Sequence, residues 1–532
     1  EDLIRTYLLE NTHGAVVIIR PERGRTARMD RELAEKLKAY KESLSPEEVQ
    51  KLVDDTHELE QYQEEESGPE DLAKIPVLKR TDISREIAPI YNDEMEIGGV
   101  KLVHHNIETN GIGYVTMMFD LSGIREELLP YVGILQSVLG IIDTTNYEYG
   151  ELFNEINIHT GGIGTSLELY TDVTKVKEKE FRATFEMRGK ALYPKMDVLF
   201  SMMREILMES RLDDEKRLKE ILAMLKSRLL ASFLSSGHTT AALRALSYTS
   251  PMSKFKDDTD GIGFYEAVKK IEEDFDGQKE TLIRNLKEIA RRIFRADNLM
   301  ISYTSSEKGI EPMTKAFAAV KDSLYTGGEI PDEACILHCR KRNEGFKTSS
   351  KVQYVARVGN FIDGGQKYSG TLQILKVILG YDYLWQNIRV KGGAYGCMSN
   401  FNRIGDAYLI SYRDPNLERT MEVYEGVVDY LKNFNVSDRD MNKFIIGTMS
   451  SLDRPMNPAA KGARSMNLYM NRVSEEMLRS ERGQILDAQQ EDIRALADVV
   501  KAMLDQKLLC VIGSEEKIEE QRGMFLEVRT LS

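Results

Sequence analysis

One pattern of strands, helix and glycine turn occurs twice in this chain in the same order, and a duplicated unit narrows the fold more than any overall property does. The apolar run Tyr114-Val115-Thr116-Met117-Met118-Phe119 has its counterpart in Tyr354-Val355-Ala356-Arg357-Val358. Each is followed by apolar residues at helical spacing that run out at a glycine, Gly140 in the first copy and Gly380 in the second. A glycine turn comes next, Gly161-Gly162 and then Gly392-Gly393, with the strand Ser166–Tyr170 after it in the first copy. Both copies close on a strand, Asn298–Tyr303 and Lys507–Ile512, followed by Ser-Glu-Lys-like turns at Lys308 and Lys517. A single match could be chance, but four in order at a slowly drifting offset read as a duplicated domain that has lost a few residues. Strands separated by helices and antiparallel-compatible connections predict an α+β fold of two homologous domains, residues 76–325 and 326–532. Each is expected to be an antiparallel-rich sheet with helices packed on one face.

The residues ahead of the repeat read differently. Within a linker of residues 25–75, Leu33, Leu37 and Tyr40 recur at helical spacing among charges. Ser45-Pro46-Glu47-Glu48 then combines an N-cap, a proline at the first helical position and a capping-box glutamate. The expectation is an exposed helical hairpin joining domains; a short coiled coil is the alternative, with a short apolar seam against it. Residues 1–24 read as a helix end, a polar turn and the strand Ala15–Arg20 stopped by Pro21, the way each copy finishes. They are expected to be the terminal strand of an upstream domain, in a chain that does not begin with Met and shows no secretory signal at Glu1-Asp2-Leu3.

Composition sets outer bounds. No apolar run approaches the ~18 residues of a membrane span, and 72 Lys+Arg against 86 Asp+Glu give a net charge of −14. That balance argues against duplex nucleic acid and anionic lipid as partners. Four cysteines (Cys335, Cys339, Cys397, Cys510) are too few for a disulfide framework and fit a reducing compartment, read as cytoplasmic.

At Leu384-Trp385-Gln386-Asn387-Ile388-Arg389-Val390-Lys391-Gly392-Gly393-Ala394-Tyr395-Gly396 the sequence resembles the presequence-protease branch of the pitrilysin/insulinase-type zinc metallopeptidases. That resemblance covers essentially the whole chain. It implies four homologous α/β domains in two halves joined by a helical hairpin, with this chain as the C-terminal half. It implies a catalytic zinc on an inverted His-x-x-Glu-His motif in the N-terminal half. None of the seven histidines here (His13, His57, His104, His105, His159, His238, His338) lies in such a motif, so no zinc ligand is carried over. What is carried over is Tyr395 as oxyanion stabiliser and Arg389 as substrate-carbonyl clamp, with Gly392 and Gly393 shaping the turn that lets both face one cavity. The implied partners are the zinc-bearing half and unfolded peptides. The repeat supports a special role, since Ile158 and Gly164 stand where the first copy would place Arg389 and Tyr395. The structural alternative has Arg389 capping the helix that starts near Ser369 and Tyr395 filling a core; the functional alternative is a non-catalytic peptide-binding or scaffold subunit.

Other clusters read as structural. His104-His105-Asn106-Ile107-Glu108 has the wrong order for the zinc motif and reads as a solvated strand edge. Cys335, Leu337 and Cys339 would share one face of a strand as small core residues, with His338 between them. Asp363-Gly364-Gly365-Gln366 reads as a loop turn, Met466 and Met470 as helical core, and Asn457–Arg464 as a small-residue wall.

Overall fold

The computed structural model describes residues 1–20, 22, 24–65, 68–326 and 337–531, in two compact units, Glu1–Leu78 and Lys79–Ser532. In the first unit, Asp2–Ile4 and Arg5–Leu9 form one short helical stretch. Val16, Val17, Ile18 and Ile19 are between 77% and 90% exposed and form no strand. The strand expected over Ala15–Arg20 is absent because an apolar run becomes one only where a neighbour takes its backbone groups, and none among the described residues does. Helices α1 (Arg25–Ser43) and α2 (Pro46–Glu64) follow. Their joint is the one the sequence dictates. Ser45 Oγ accepts the Glu48 N–H at 3.2 Å while the Glu48 carboxylate accepts the Ser45 N–H at 2.8 Å. Pro46 takes the first helical position, where its missing N–H costs nothing. Leu33, Leu37, Leu52 and Leu59 remain exposed.

The second unit holds two six-stranded sheets. One is built from β1 (Asp93–Ile97), β2 (Val100–Asn106), β3 (Ile112–Asp120), β4 (Ile163–Tyr170), β5 (Arg182–Leu192) and β6 (Leu299–Ser305), in the order β1-β2-β6-β3-β5-β4. The other is built from β7 (Glu344–Thr348), β8 (Tyr354–Asn360), β9 (Gly396–Phe401), β10 (Asp406–Tyr412), β11 (Leu508–Ser514) and β12 (Glu527–Thr530), in the order β12-β7-β11-β8-β10-β9. Exchanging β2 to β6 for β7 to β11, each in turn, converts one order into the other, so the repeat is a repeat of topology. Only the outermost strand beside β2 or β7 is supplied differently, antiparallel β1 in one case and parallel β12 in the other. No helix among the described residues is long and apolar enough to cross a membrane.

Each sheet keeps its own helices on one face. Val115, Met117 and Phe119 of β3 point towards α3 (Leu129–Val138) and its neighbours, and Val355, Leu409 and Val511 towards helices that include Thr371–Tyr381 and Gln490–Leu504. The opposite faces are covered by exchange. The long helix α4 (Glu215–Leu246) breaks at Ser236, and its last turns lie on β8, β10 and β11 of the second sheet. In return α5 (Pro458–Met470), from the second copy, lies on β2 and β6 of the first sheet. Both crossings need glycine at the contact. A Cβ on Gly237 would stand 2.3 Å from the Tyr354 ring, and one on Gly462 would stand 1.9 Å from Thr304 Oγ1. The exchange also fuses the cores: Tyr354, Ala356, Val358, Leu508 and Cys510 belong to the same buried cluster as Val115, Phe185 and Ile301.

A buried ion pair pins the first crossing. Arg244 on α4 meets Glu344, the first residue of β7, through Nε to Oε2 at 2.6 Å and Nη2 to Oε1 at 2.9 Å. Its Nη1 donates to Asp257 at 2.6 Å, and the Tyr248 hydroxyl donates to Glu344 at 3.0 Å. Burial by itself would raise the Glu344 carboxyl, but the Arg244 fork and the Tyr248 hydroxyl hold it below the ordinary carboxylate range. Removing one partner of such a pair strands a charge in the core, at a cost of about 3–5 kcal/mol.

His104 and His105 are not at a solvated edge, as period-2 exposure suggested. β2 is flanked by β1 and β6 and covered by α5, and both rings are buried. His104 Nε2 bonds to Ser305, and His105 Nε2 to Ser302 Oγ at 2.9 Å and Nδ1 to the Tyr91 carbonyl at 2.5 Å. Burial pushes His105 down to about 4. On β10, burial pushes Asp406 up to about 6, although Asn360 donates to it at 2.8 Å and Ser250 at 3.2 Å.

These shifts oppose each other. Below its unfolded pKa of about 6.5, His105 gains a proton only on unfolding, so its contribution falls as pH drops from 6.5 to 4. Above about 3.8, Asp406 loses a proton only on unfolding, so its contribution falls as pH rises towards 6. Each is worth up to about 3 kcal/mol. Urea unfolding between pH 4 and 6.5 is expected to show, relative to the parent chain, a steeper loss of stability in acid for Asp406→Asn and a shallower one for His105→Gln. Separately, Gly462→Ala should destabilise by about 1–3 kcal/mol, with partial recovery in the double variant carrying Thr304→Ala.

Candidate functional site

The Arg389–Tyr395 element is a tight loop between the helix Thr371–Tyr381 and β9, anchored by four buried side chains: Leu384, Ile388, Ala394 and Cys397. Trp385–Val390 forms a wide turn in which the Lys391 N–H reaches the Gln386 carbonyl at 2.9 Å. Such widened turns are frequent at functional sites. The chain then doubles back, with the Gly393 N–H on the Arg389 carbonyl at 2.9 Å and the Ala394 N–H on the Ile388 carbonyl at 3.1 Å. Both glycines are demanded here. A Cβ on Gly392 would stand 2.4 Å from the Ile388 carbonyl oxygen, and Gly393 has φ +78°. Asn416 Nδ2 fastens the turn by donating to the Gly392 carbonyl at 2.6 Å.

The result brings the two sequence-predicted residues together. Arg389 lays its guanidinium over Trp385, 4.5 Å from the ring centre, and Nη1 donates to the Tyr395 carbonyl. The Tyr395 N–H donates to the Tyr412 carbonyl at 3.0 Å, which begins the β9–β10 ladder, and its ring is 64% exposed. Arg389 therefore caps no helix, and Tyr395 fills no core. Both offer donor groups from a rigid edge, the requirement for stabilising a charge that develops outside the chain.

Sequence reading missed the residues behind Tyr395. Arg413 follows β10 with φ +48°, at a bulge between the Tyr412–Gly396 pair and the Gln353–Asp414 bridge. Its guanidinium lies 5.8 Å from the Tyr395 ring centre and 5.4 Å from that of Tyr412. It also hydrogen-bonds Tyr354, whose hydroxyl donates to the Leu234 carbonyl at 2.5 Å beside the break in α4. His238 packs against Tyr412 at 4.8 Å; its Nδ1 is buried without a hydrogen bond, and burial lowers its pKa. A strained non-glycine residue beside a reactive side chain suits a site held in one conformation. The only local hint was Asp414-Pro415, a turn signal that says nothing of a neighbour from α4.

The remaining candidates resolve as structure. Cys335 lies outside the described residues. Residues 337–339 form no strand, contrary to the expected shared face: Cys339 is half-buried, and His338 Nδ1 pairs with Glu126 at 2.7 Å. Gly364-Gly365-Gln366 is a loop with Gly365 at φ +86°. Met466 is buried on the sheet side of α5 with Met470 packed alongside, and Asn457 caps α5 by accepting the Ala460 N–H at 2.9 Å. Among the described residues no group of three or more His, Cys, Asp or Glu side chains could hold a metal ion.

Comparison with known proteins follows the same division. Residues 19–271 match the family model for the associated region of M16 peptidases of subfamily C, and residues 343–515 match the one described as "PreP C-terminal domain". The chain is 37% identical to Protein HypA of Clostridium perfringens, over 100% of this chain and 54% of that protein. It is 27% identical to Presequence protease 1, chloroplastic/mitochondrial, of Arabidopsis thaliana, over 99% of this chain and 49% of that protein. The chain thus spans about half the length of these relatives. Among solved structures, a protease from Helicobacter pylori superposes with a TM-score of 0.54 at 14% identity, covering 80% of this chain and 99% of that one. A peptidase M16 inactive domain from Pseudomonas fluorescens gives 0.53 at 14% identity, covering 80% and 97%. These two establish likeness of fold.

Proposed function

We propose that this chain, which belongs to the presequence-protease branch of the M16 peptidase family, is the substrate-holding half of a zinc-dependent metalloendopeptidase that encloses and hydrolyses unfolded peptides. The observation that carries this reading is the presentation of Arg389 and Tyr395 from one glycine-braced loop, with the phenol exposed beside the guanidinium. Tyr395 donates its O–H to the oxyanion that forms when a peptide carbonyl is attacked. Arg389 holds a neighbouring peptide carbonyl. In the free chain its Nη1 is satisfied by the Tyr395 carbonyl, so binding exchanges one charge-assisted hydrogen bond for another and leaves the fork in place on Trp385. The described residues offer no zinc site. In this reading the metal belongs to an N-terminal half outside the chain, where it would polarise the carbonyl and activate water, and no step here runs through it.

The first unit fits the role of connector. Residues 1–24 would complete a sheet of the preceding domain, as the bare Val16–Ile19 run suggests. The helices α1 and α2 would form the hairpin joining the halves, leaving residues 76–325 and 326–532 as the third and fourth domains of the whole protein. The sparse cysteines, all free among those described, suit a reducing compartment such as the cytoplasm.

The test is cleavage of a quenched fluorescent peptide by the chain assembled with its upstream half. Tyr395→Phe should lower kcat by roughly 10²–10³-fold, and Arg389→Ala should lower kcat/KM by a similar order. Thermal stability should be unchanged for Tyr395→Phe, whose ring is exposed. Full turnover in both variants would remove these two residues from the reaction.

A further inference from the structure

The place that Arg389 and Tyr395 occupy in the second copy has a counterpart in the first, and there the structure has a cavity. It has a volume of about 460 Å³ and lies on the outer face of the first sheet, where α5 crosses it. Gly162 of the first copy's glycine turn is in its wall, and β5 and α5 stand where β10 and the end of α4 stand around Tyr395. Thr116, Ser302 and Thr304 supply hydroxyls from the sheet, and Ala459 and Ala463, one helical turn apart on α5, supply a wall too small to close the space.

The charges on the floor are arranged rather than scattered. Glu186 is 2% exposed and accepts four hydrogen bonds: from Tyr170 at 2.6 Å, Thr184 at 3.0 Å, and Arg188 Nε and Nη2 at 3.1 and 2.8 Å. Arg188 Nη2 also reaches Glu168 at 2.7 Å. The two carboxylates thus fix one guanidinium through Nε and Nη2 and leave its Nη1 for a ligand in the cavity that Arg188 lines. Lys190, two residues along β5 on the same face, has no ion pair among the described residues. One buried carboxylate that pre-orients an arginine, next to an uncompensated ammonium, is a receptor for a carboxylate.

We propose that this cavity is a second peptide subsite, taking an extended segment of the substrate that carries a carboxylate, either its C-terminus or an acidic side chain. The identity of the ligand rests on the peptidase reading above. The site would hold the chain away from the scissile bond and favour peptides long enough to reach both places.

Binding can be measured without catalysis, by fluorescence anisotropy of a labelled unfolded peptide titrated with the 532-residue chain. Lys190→Glu and Ala463→Leu change exposed positions and so leave the fold intact, which thermal unfolding verifies. Each is expected to weaken binding about tenfold or more, as loss of one charge-assisted contact or of the space would. Arg389→Ala should weaken it less. Amidating the peptide C-terminus distinguishes the two carboxylate sources: a loss as large as that of Lys190→Glu assigns the terminus, and no loss in a peptide with acidic side chains assigns those. Unchanged affinity in both Lys190→Glu and Ala463→Leu would overturn the subsite, as would a parent chain that binds no peptide. Because cleavage is scored separately on Arg389 and Tyr395, failure of the catalytic reading gives a different pattern.

Discussion

Neither copy of the repeated domain can cover its own sheet. The face of each that its own helices leave bare is packed by a helix from the other, and this exchange is the constraint from which the rest of the structure follows. It explains why the two glycines Gly237 and Gly462 sit at the crossings, and why residues from both sheets share one core. It also explains why an ion pair as costly to desolvate as Arg244–Glu344 is kept. Burying that pair gains little over a well-packed apolar contact, but it specifies which helix turn meets which strand.

The same exchange gives the candidate site its rigidity. Tyr395 stands on an edge strand, a place where side chains ordinarily have latitude. Here β10 behind it is packed against the end of α4, Tyr354 ties the break in that helix to Arg413, and Arg413 lies against the Tyr395 ring. A displacement of α4 would therefore be felt at the phenol. The first copy uses the same framework with different side chains: alanines on the crossing helix, and Arg188 and Lys190 on the sheet. Duplication thus supplied two equivalent places around one core, and sequence divergence gave them different chemistry.

Much of this was legible in the residues. Strand and helix order followed from period-2 and helical spacing, the capping box at Ser45 was formed as written, and the repeat of Gly161-Gly162 in Gly392-Gly393 located the loop that matters. The exchange was not legible, because a glycine inside a helix looks alike whether it meets solvent or a tyrosine ring. His104 and His105 were misjudged for a related reason: alternation reports which face a side chain takes, and here a helix from far along the chain covers that face. Arg413 was invisible because its position depends on a bulge, which a one-residue change in register creates without a compositional mark. The run Val16–Ile19 has strand chemistry but no strand, since pairing belongs to the partner as much as to the segment.

The account's central claim is that this chain contributes donors, and not the metal, to a shared reaction centre. The most direct measurement is peptide hydrolysis by the purified 532-residue chain in zinc-containing buffer, followed by addition of the separately purified upstream half. The account predicts no turnover before the addition and chelator-sensitive turnover after it. Chelator-sensitive hydrolysis by the chain unaided would contradict it.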